Sequence, residues 1–280
     1  MLWKRLARRY DPFILLRRVL PPRAFELVRF PSWCVSVYFP RLIASWFVKR
    51  TARVLSFNHD HTASQMAKEL ERVNVLAPTK MCRVMTKYGS DKGCWHNYTT
   101  LYSALFDGRR DQPLRFFELG LGTKNPRLAS SMGVNGKPGA SLRGWRELFP
   151  QALVYGADID RSTLFEEERI KSFYCDQLDP AVIRELWSHP DLQGGVDVVI
   201  EDGLHTLEAN VSFLEGSLEH LRPGGIYVIE DIDRGKLNEW FDLLEMIYSK
   251  RYPSYEFALV ALPAMSAAGD NNLLIVRKNN

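Results

Sequence analysis

Two apolar runs in the sequence end in acidic residues. One run ends in Asp202, with His205 three residues further on, and another ends in Glu230-Asp231. If the runs are neighbouring strands, about 4.8 Å apart, Asp202, Glu230 and Asp231 can converge on one cation. Carboxylate oxygens without thiolates suit a hard ion such as Mg²⁺. His205 could then face a metal-bound hydroxyl as a general base.

Three earlier apolar runs end in groups that suit a nucleoside. The first ends in the turn Gly120-Leu121-Gly122, which lets a ligand approach the backbone closely. The second ends at Asp158, whose carboxylate can accept hydrogen bonds from two ribose hydroxyls. The third ends at Asp176 and Gln177, whose polar groups can read an adenine edge. Asn125 stands at the third position of a dinucleotide fingerprint, where glycine is required, so an NAD(P)-dependent oxidoreductase is disfavoured.

After residue 110, predicted strands alternate with predicted helices, and these elements must position the groups named above. Such alternation is typical of a layered α/β domain. Short apolar runs without polar alternation indicate strands that helices cover on both faces. The last two strands are joined only by a loop, so at least one of them is expected to be antiparallel to the rest. We predict strands at Leu114–Leu119, Leu153–Ile159, Ser172–Cys175, Val196–Glu201, Ile226–Glu230, Phe257–Leu262 and Leu273–Arg277, and helices at Ser141–Phe149, Pro180–Trp187, Glu208–Leu221 and Gly235–Lys250. The charge run Glu166–Arg169 is predicted to be a solvated helix face.

Charge divides the chain into unlike parts. Residues 1–56 contain 12 Lys+Arg and 2 Asp+Glu, a net of +10, whereas residues 57–280 contain 25 and 31, a net of −6. Within the first part, Arg29, Arg41 and two prolines interrupt the apolar and aromatic segment Ala24–Val48, so no transmembrane helix is predicted. Residues 1–56 are predicted to form a basic, aromatic-rich helical appendage, which either lies on a membrane or another anionic partner or packs on the main domain.

The predicted elements also divide the rest of the chain into two segments. Residues 57–110 are predicted to be a helical lead-in that contains the loop Tyr88-Gly-Ser-Asp-Lys-Gly93, and residues 111–280 the main α/β domain. The four cysteines form no CxxC pair, which favours a reducing compartment, and no export signal is evident. We therefore expect a cytoplasmic protein, peripheral at the inner face of the membrane if the appendage binds lipid. Nucleic-acid binding is not expected, because no recognition motif accompanies the basic residues. Whether the protein forms a homo-oligomer is left open.

The order of these motifs resembles class I S-adenosylmethionine-dependent methyltransferases. More narrowly, it resembles the metal-dependent sugar O-methyltransferases of macrolide biosynthesis, the mycinamicin VI 2''-O-methyltransferase and demethylmacrocin O-methyltransferase group. The narrower match lies in Tyr88–Gly93 with His96-Asn-Tyr-Thr99, in Gly139–Arg143 with Trp145-Arg146, and in Tyr155–Ile159. The resemblance implies a Rossmann-like fold with a mostly parallel seven-stranded sheet and helices on both faces.

The resemblance also implies roles for individual residues. The metal ligands of the family correspond to Asp202, Glu230 and Asp231, and its proton acceptor corresponds to His205. Contacts to S-adenosylmethionine would fall on Glu118, Gly120, Gly122, Asp158, Asp176, Gln177 and Glu201.

The expected function is methylation of a sugar hydroxyl in a glycosylated natural product, glycolipid or polysaccharide, with S-adenosylmethionine and Mg²⁺. A vicinal diol is the expected acceptor, since adjacent hydroxyls can chelate the ion. Two alternatives stay open. One is a catechol-type or other small-molecule O-methyltransferase, which wants a flatter and more apolar acceptor pocket. The other is a non-catalytic adaptor with a nucleoside-binding fold that docks to a membrane through its basic arm.

Overall fold

The computed structural model describes residues 52–58, 64–93, 96–263 and 270–280. They belong to the unit Arg50–Asn280. The predicted appendage lies outside the described residues as far as residue 51, and so does the segment Ala24–Val48. Arg53–Phe57, however, forms the strand β1, so the last residues that the sequence assigned to the appendage belong to the sheet. None of the described helices is long and apolar enough to cross a membrane.

Nine strands and eight α-helical segments make up the described part of the chain. The strands are β1 (Arg53–Phe57), β2 (Arg115–Leu119), β3 (Leu153–Asp158), β4 (Glu166–Glu167), β5 (Ile170–Tyr174), β6 (Val196–Glu201), β7 (Leu221–Ile229), β8 (Tyr255–Ala261) and β9 (Asn272–Lys278). The helices are α1 (Gln65–Glu71), α2 (Lys80–Tyr88), α3 (Tyr98–Phe106), α4 (Ala140–Leu148), α5 (Pro180–Ser188), α6 (Leu207–Ser217), α7 (Leu237–Leu243) and, after a π-helical turn at Leu244–Tyr248, α8 (Ser249–Arg251). Short 3₁₀ turns lie at Asp107–Arg109, Arg161–Thr163, Pro190–Leu192, Leu218–His220 and Arg234–Lys236.

All the strands join in one sheet with the order β1-β8-β9-β7-β6-β2-β3-β5-β4. The central strands β7, β6, β2, β3 and β5 are parallel, whereas β9 pairs antiparallel with both β7 and β8. The strand order reverses between β2 and β6. In open parallel sheets, ligands bind at such a switch point, beyond the carboxyl ends of the strands. The Rossmann-like fold and the antiparallel strand near the end of the chain are confirmed.

Apolar residues on both faces of the sheet are buried, which is why its central strands show no polar alternation. In β6, Val198 and Ile200 pack into the core under α1–α4, while Val199 packs into the core under α5–α7. Side chains that follow one another in a strand point to opposite faces, so a strand covered on both sides must be apolar throughout.

Three local predictions are wrong or incomplete. Glu166–Glu167 is a two-residue edge strand, not a helix face, because it pairs antiparallel with β5, and Glu167 also forms ion pairs with arginines of α4. The helix predicted at Glu208–Leu221 ends at Ser217, and β7 begins at Leu221, where its register with β6 shifts. The final helix is broken by the π-helical turn. Two short edge strands, β1 and β4, extend the predicted seven strands to nine.

Candidate active site

Backbone hydrogen bonds align the carboxyl ends of four parallel strands. Gly120 N–H donates to the Ala157 carbonyl at 2.8 Å, and Asp202 N–H donates to the Leu119 carbonyl at 2.9 Å. Glu230 N–H continues the pattern by donating to the Glu201 carbonyl at 2.9 Å. The ends of β3, β2, β6 and β7 are therefore level, and the residues that follow them lie along one edge.

The glycine turn after β2 is shaped by close backbone approach. Gly120 has φ +89°, and a Cβ there would lie 1.9 Å from the Asp202 carbonyl oxygen. Gly122 has φ +81°. Asp158 holds this turn, since its Oδ2 accepts a hydrogen bond from Leu121 N–H at 2.7 Å and its Oδ1 accepts one from Asp160 N–H at 2.7 Å. Burial raises the pKa of the Asp158 carboxyl, although these hydrogen bonds oppose that effect.

A cavity of about 160 Å³ opens over the turn. Of the residues predicted to bind a cofactor, Gly120, Gly122, Asp158, Asp176 and Gln177 line it. Apolar walls come from side chains such as Ile159 and Leu178. A small, mostly apolar cleft with a few polar groups at strand ends is typical of a nucleoside site.

The other two predicted cofactor residues lie beneath this cavity. Glu201 is fully buried and accepts hydrogen bonds from the side chains of Asn210 and Gln177 and from Gly203 N–H. The side-chain oxygen of Gln177, Oε1, accepts a hydrogen bond from Leu204 N–H at 2.7 Å. Glu201 thus anchors Gln177 and the loop after β6. Burial raises the pKa of Glu201, against the effect of these hydrogen bonds.

Glu118 is likewise an anchor below the surface. It is 1% exposed and accepts hydrogen bonds from the Ser141 hydroxyl at 2.5 Å and from Trp145 Nε1–H at 2.6 Å. Both donors belong to α4, so Glu118 fixes that helix against β2. Burial raises the pKa of the Glu118 carboxyl, while the nearby Lys92 ammonium, 3.6 Å away, lowers it.

Asp202, His205 and Asp231 form a cluster beside the glycine turn. One ligand atom from each lies within 4.8 Å of the others, which is the spacing of groups that could hold a metal ion. His205 Nε2 lies 3.7 Å from Asp202 Oδ1 and 3.8 Å from Asp231 Oδ2. Tyr98 donates a hydrogen bond to the other oxygen of Asp231 at 2.6 Å. The structure thus brings together three of the four residues predicted for metal binding and proton transfer.

Glu230 does not belong to this cluster and lies in a buried polar pocket. It is 1% exposed, its Oε1 accepts a hydrogen bond from Tyr102 and its Oε2 accepts one from the Lys92 ammonium. The same ammonium donates to Asp202 Oδ2 at 2.5 Å. Lys92 therefore bridges Glu230 and Asp202, two of the predicted metal ligands.

The charges in this region shift one another's protonation. Burial raises the pKa of Glu230 well above its ordinary value, only partly opposed by Lys92, and burial also raises the pKa of Asp231. For Asp202, burial would raise the pKa, but Lys92 and the adjacent histidines outweigh it and leave the pKa below the ordinary value. Burial would lower the pKa of Lys92, yet the surrounding carboxylates raise it well above 10.5.

Two of the five non-glycine residues with positive φ in the described part of the chain belong to the same cluster. His205 has φ +58° and Asp231 has φ +55°, and both residues carry a Cβ. Positive φ is uncommon outside glycine and costs free energy unless the surroundings enforce it. Here the strain turns both side chains toward a common point.

A second cavity, of about 330 Å³, adjoins the first. Gly120, Gly122, Ser130 and Asp202 line both cavities. The larger one is also lined by His96, His205 and Asp231 and by further polar side chains, namely Ser90, Asp91, Lys92, Ser131, Lys137, Ser141 and Asp270. The two cavities therefore meet beside the cluster of Asp202, His205 and Asp231, which is called the metal-type cluster below.

Sequence reasoning missed four residues of this region. Lys92, Tyr98 and Tyr102 were given no role, and His96 was left unassigned. His96 is 8% exposed, stacks on Tyr98 at 5.0 Å between ring centroids, and places Nδ1 3.5 Å from Asp231 Oδ1. The signal was present in part, since the stretches Tyr88–Gly93 and His96–Thr99 contributed to the family resemblance without any assigned chemistry.

Comparison with known proteins gives one negative and several positive findings. No protein-family model matches the chain. The 8-demethyl-8-(2-methoxy-alpha-L-rhamnosyl)-tetracenomycin-C 3'-O-methyltransferase of Streptomyces olivaceus is 32% identical over 190 residues, which cover 67% of this chain and 46% of that enzyme. Demethylmacrocin O-methyltransferase of Streptomyces fradiae is 36% identical over 141 residues, 50% of this chain and 33% of that enzyme. The chain thus spans less than half the length of these relatives.

Among solved structures, the MycE methyltransferase of the mycinamycin biosynthetic pathway, in complex with Mg and SAH, is similar. The TM-score is 0.53 at 25% identity, over 73% of this chain and 56% of that one. The chain is a homologue of the macrolide sugar O-methyltransferases and has the class I methyltransferase fold, as its motifs predicted.

Proposed function

We propose that the protein transfers a methyl group from S-adenosylmethionine to a hydroxyl of a sugar, with the help of a divalent ion such as Mg²⁺. The observation that carries this proposal is the meeting of the two cavities at Gly120, Gly122 and Asp202. A donor in the smaller cavity would face an acceptor in the larger one at the cluster of Asp202, His205 and Asp231. The named activities of the relatives support the same reaction.

The chemistry requires an oxygen nucleophile, a proton acceptor and alignment. The acceptor oxygen attacks the methyl carbon in line with the carbon–sulfur bond, that bond breaks, and the sulfonium becomes a neutral thioether. His205, which lines the larger cavity from the loop after β6, takes the hydroxyl proton. The glycine turn and the strand ends hold donor and acceptor in near-attack geometry. When bound, a divalent ion would make the hydroxyl more acidic.

The carboxylates suit such an ion. Asp202 Oδ1 and Asp231 Oδ2 face the same point, while a buried donor holds the second oxygen of each. Donors that orient ligand oxygens in this way are common around metal sites. We propose Asp202, Asp231 and Glu230 as ligands, of which Glu230 also accepts a hydrogen bond from the Lys92 ammonium.

A sugar fits the larger cavity better than a catechol does. Hydroxyl, carboxylate and ammonium groups line it, including Ser90, Asp91, Ser131, Lys137 and Asp270. A polyhydroxylated ring can exchange its hydrogen bonds to water for hydrogen bonds to such groups, whereas a flat aromatic acceptor would leave them unpaired. This polar lining favours the sugar acceptor over the small-molecule alternative.

Mass spectrometry of products tests the proposal. The full chain would be incubated with S-adenosylmethionine, Mg²⁺ and a panel of glycosylated natural products, glycolipids and catechols. We expect one added methyl group on a sugar-containing acceptor. We expect His205→Ala to lose transfer by at least about a hundredfold while it still binds S-adenosylhomocysteine.

The control is His220→Ala, since His220 stacks on Trp187 and lines neither cavity. That variant should keep full transfer below its melting temperature. Full activity of His205→Ala would remove the proposed proton acceptor, and full activity in EDTA would remove the metal. Methylation of catechols alone would favour the small-molecule alternative.

We also propose that residues 1–56 bring the protein to an anionic surface that carries its acceptor, at the inner face of the membrane. The support is the net charge of +10 in this segment, in which basic residues alternate with aromatic ones.

A further inference from the structure

Lys92 is the one lysine or arginine side chain that is buried among the described residues, at 2% exposure. It reaches the site from the loop after α2. That helix ends at Gly89, whose left-handed conformation (φ +93°) turns the chain inward. The loop is then fixed from α3, because Thr99 N–H and the Thr99 hydroxyl both donate to the Lys92 carbonyl at 3.3 Å. The backbone of Lys92 is thus held in place by the fold.

The ammonium lies close to three carboxylates. It bonds Asp202 Oδ2 and Glu230 Oε2 and lies 3.6 Å from Glu118 Oε1. Burying a lone ammonium is unfavourable, and burying several carboxylates close together is equally unfavourable. The ammonium and the carboxylates therefore offset the free-energy cost of burying one another. Without a cation in this space, Glu230 and Asp202 would repel each other in a medium that screens charge poorly.

A divalent ion would draw on the same carboxylates. Asp202 offers its Oδ1 to the side of His205 and Asp231, whereas each oxygen of Glu230 already accepts a hydrogen bond, from Tyr102 or from Lys92. An ion that binds Glu230 Oε2 would share that oxygen with the Lys92 ammonium or displace it. In addition, an ammonium held against Asp202 repels a dication bound to the same carboxylate.

We infer that Lys92 is an internal counter-ion that stabilises the carboxylate cluster of the metal-free protein and competes with the divalent ion for Asp202 and Glu230. This inference rests on the metal site of the proposed function. It gives Lys92 two opposite effects. The protein stays folded before the ion binds, and the ion is held less tightly than the carboxylates alone would hold it. Lys92 is a positioning residue, not a catalytic one, because it acts through its neighbours.

Titration of the full chain with Mg²⁺ and Mn²⁺ by calorimetry tests the inference, together with thermal melts in the absence and presence of each ion. In Lys92→Met the positive charge is removed at similar volume. We expect this variant to melt at a lower temperature without metal, to bind either ion about tenfold more tightly, and to gain more thermal stability from it than the wild type does.

Two comparisons separate charge from packing. Lys92→Gln keeps N–H donors but lacks the charge, and it should also bind metal more tightly than the wild type. Lys87→Met removes an exposed lysine of α2 that pairs with Glu147, and it should bind metal as the wild type does. A residue that only supported the fold would lower stability in both variants of Lys92 without raising metal affinity.

A measurement on the wild type covers the case in which the variants do not fold. The ammonium of a buried lysine exchanges slowly enough to be observed by ¹H–¹⁵N NMR, and its signal should shift as Mg²⁺ is added. Equal or weaker metal binding by folded Lys92→Met, or an ammonium signal that saturating Mg²⁺ leaves unchanged, overturns the inference alone. Failure of the wild type and the variants to bind either ion overturns the metal site and the inference together.

Discussion

At the scale of single residues, the tightest constraint in the site is the approach of two backbones at Gly120. The turn after β2 and the chain after β6 come so close that a Cβ on Gly120 would overlap the Asp202 carbonyl. The same contact sets both the floor of the donor cavity and the position of Asp202. A change at Gly120 therefore affects the cofactor and the metal-type cluster together.

Replacement of this glycine should be severe. In Gly120→Ala the left-handed conformation alone costs about 1–2 kcal/mol, and the overlap with Asp202 forces the turn to move. We expect at least about tenfold weaker binding of S-adenosylhomocysteine by calorimetry and a lower melting temperature. Gly108→Ala is the matched control, because a Cβ at Gly108 meets nothing within 4 Å. Cofactor binding by Gly120→Ala at wild-type strength would contradict the assignment of the donor cavity.

Sequence patterns were informative for residues at strand ends and uninformative for residues that reach the site from elsewhere. Asp202 and Asp231 could be placed because each follows an apolar run, and parallel strands end at a common edge. Lys92 could not, because it is separated from Asp202 by 110 positions and from Glu230 by 138. Nothing local in the sequence shows where that loop folds, so the prediction of Glu230 as a metal ligand took no account of Lys92.

At the scale of elements, predicted strands were accurate where burial on both faces demands an apolar run. Val196–Glu201 was predicted with both of its bounds correct. The short edge strand β4 was missed because a two-residue strand has no periodicity, and its composition is charged. The carboxylate of Glu167 accepts hydrogen bonds from Arg143 at 2.7 and 2.9 Å and from Arg146 at 2.8 Å. These hydrogen bonds of Glu167 with Arg143 and Arg146, called the clasp below, tie β4 to α4, the helix that Glu118 anchors on its inner side.

The clasp gives a pH-dependent contribution to stability. Hydrogen bonds from Arg143, then the charges of both arginines, lower the pKa of Glu167 below its ordinary value in the folded state. Its contribution is therefore complete above the unfolded-state pKa, about 4.5, and is lost as the pH falls through the folded-state pKa. Because the side chain is partly exposed, we expect Glu167→Gln to lower stability by only about 0.5–1 kcal/mol at pH 7.

Thermal melts at pH 7 and at successively lower pH would check this expectation. The melting temperature of Glu167→Gln should lie about 1–3 °C below that of the wild type at pH 7, with a gap that narrows below about pH 4. Glu168→Gln is the control, since Glu168 is exposed beside the clasp. A gap that persists unchanged in acid, or an equal loss in Glu168→Gln, would argue against the clasp.

At the scale of the whole molecule, we propose that charge separates two tasks, the binding of ion and cofactor and the attachment to a surface. The part after residue 56 is net negative, and its carboxylates include those proposed to hold an ion near a cationic cofactor. The first 56 residues are net positive, as an anionic surface would require. The structure refines the boundary, because β1 begins at Arg53 and pairs with β8 along five residues. Experiments on the basic segment should therefore leave residues from Ala52 onward intact.

Binding of the full chain to liposomes that contain anionic lipid tests this division of tasks. Each basic residue near such a surface contributes about 1 kcal/mol, so a variant with four of them changed to Gln should bind at least about a hundredfold more weakly. The four are Arg8, Arg9, Arg17 and Arg18.

The control changes four exposed basic residues of the α/β part, Arg72, Arg83, Arg184 and Lys250, which leaves the net charge of the chain the same in both variants. Binding should weaken at high ionic strength and be absent with neutral lipid. Equal loss in both variants would mean that net charge, not this segment, attracts the protein, and wild-type binding by the first variant would mean that residues 1–51 serve another purpose.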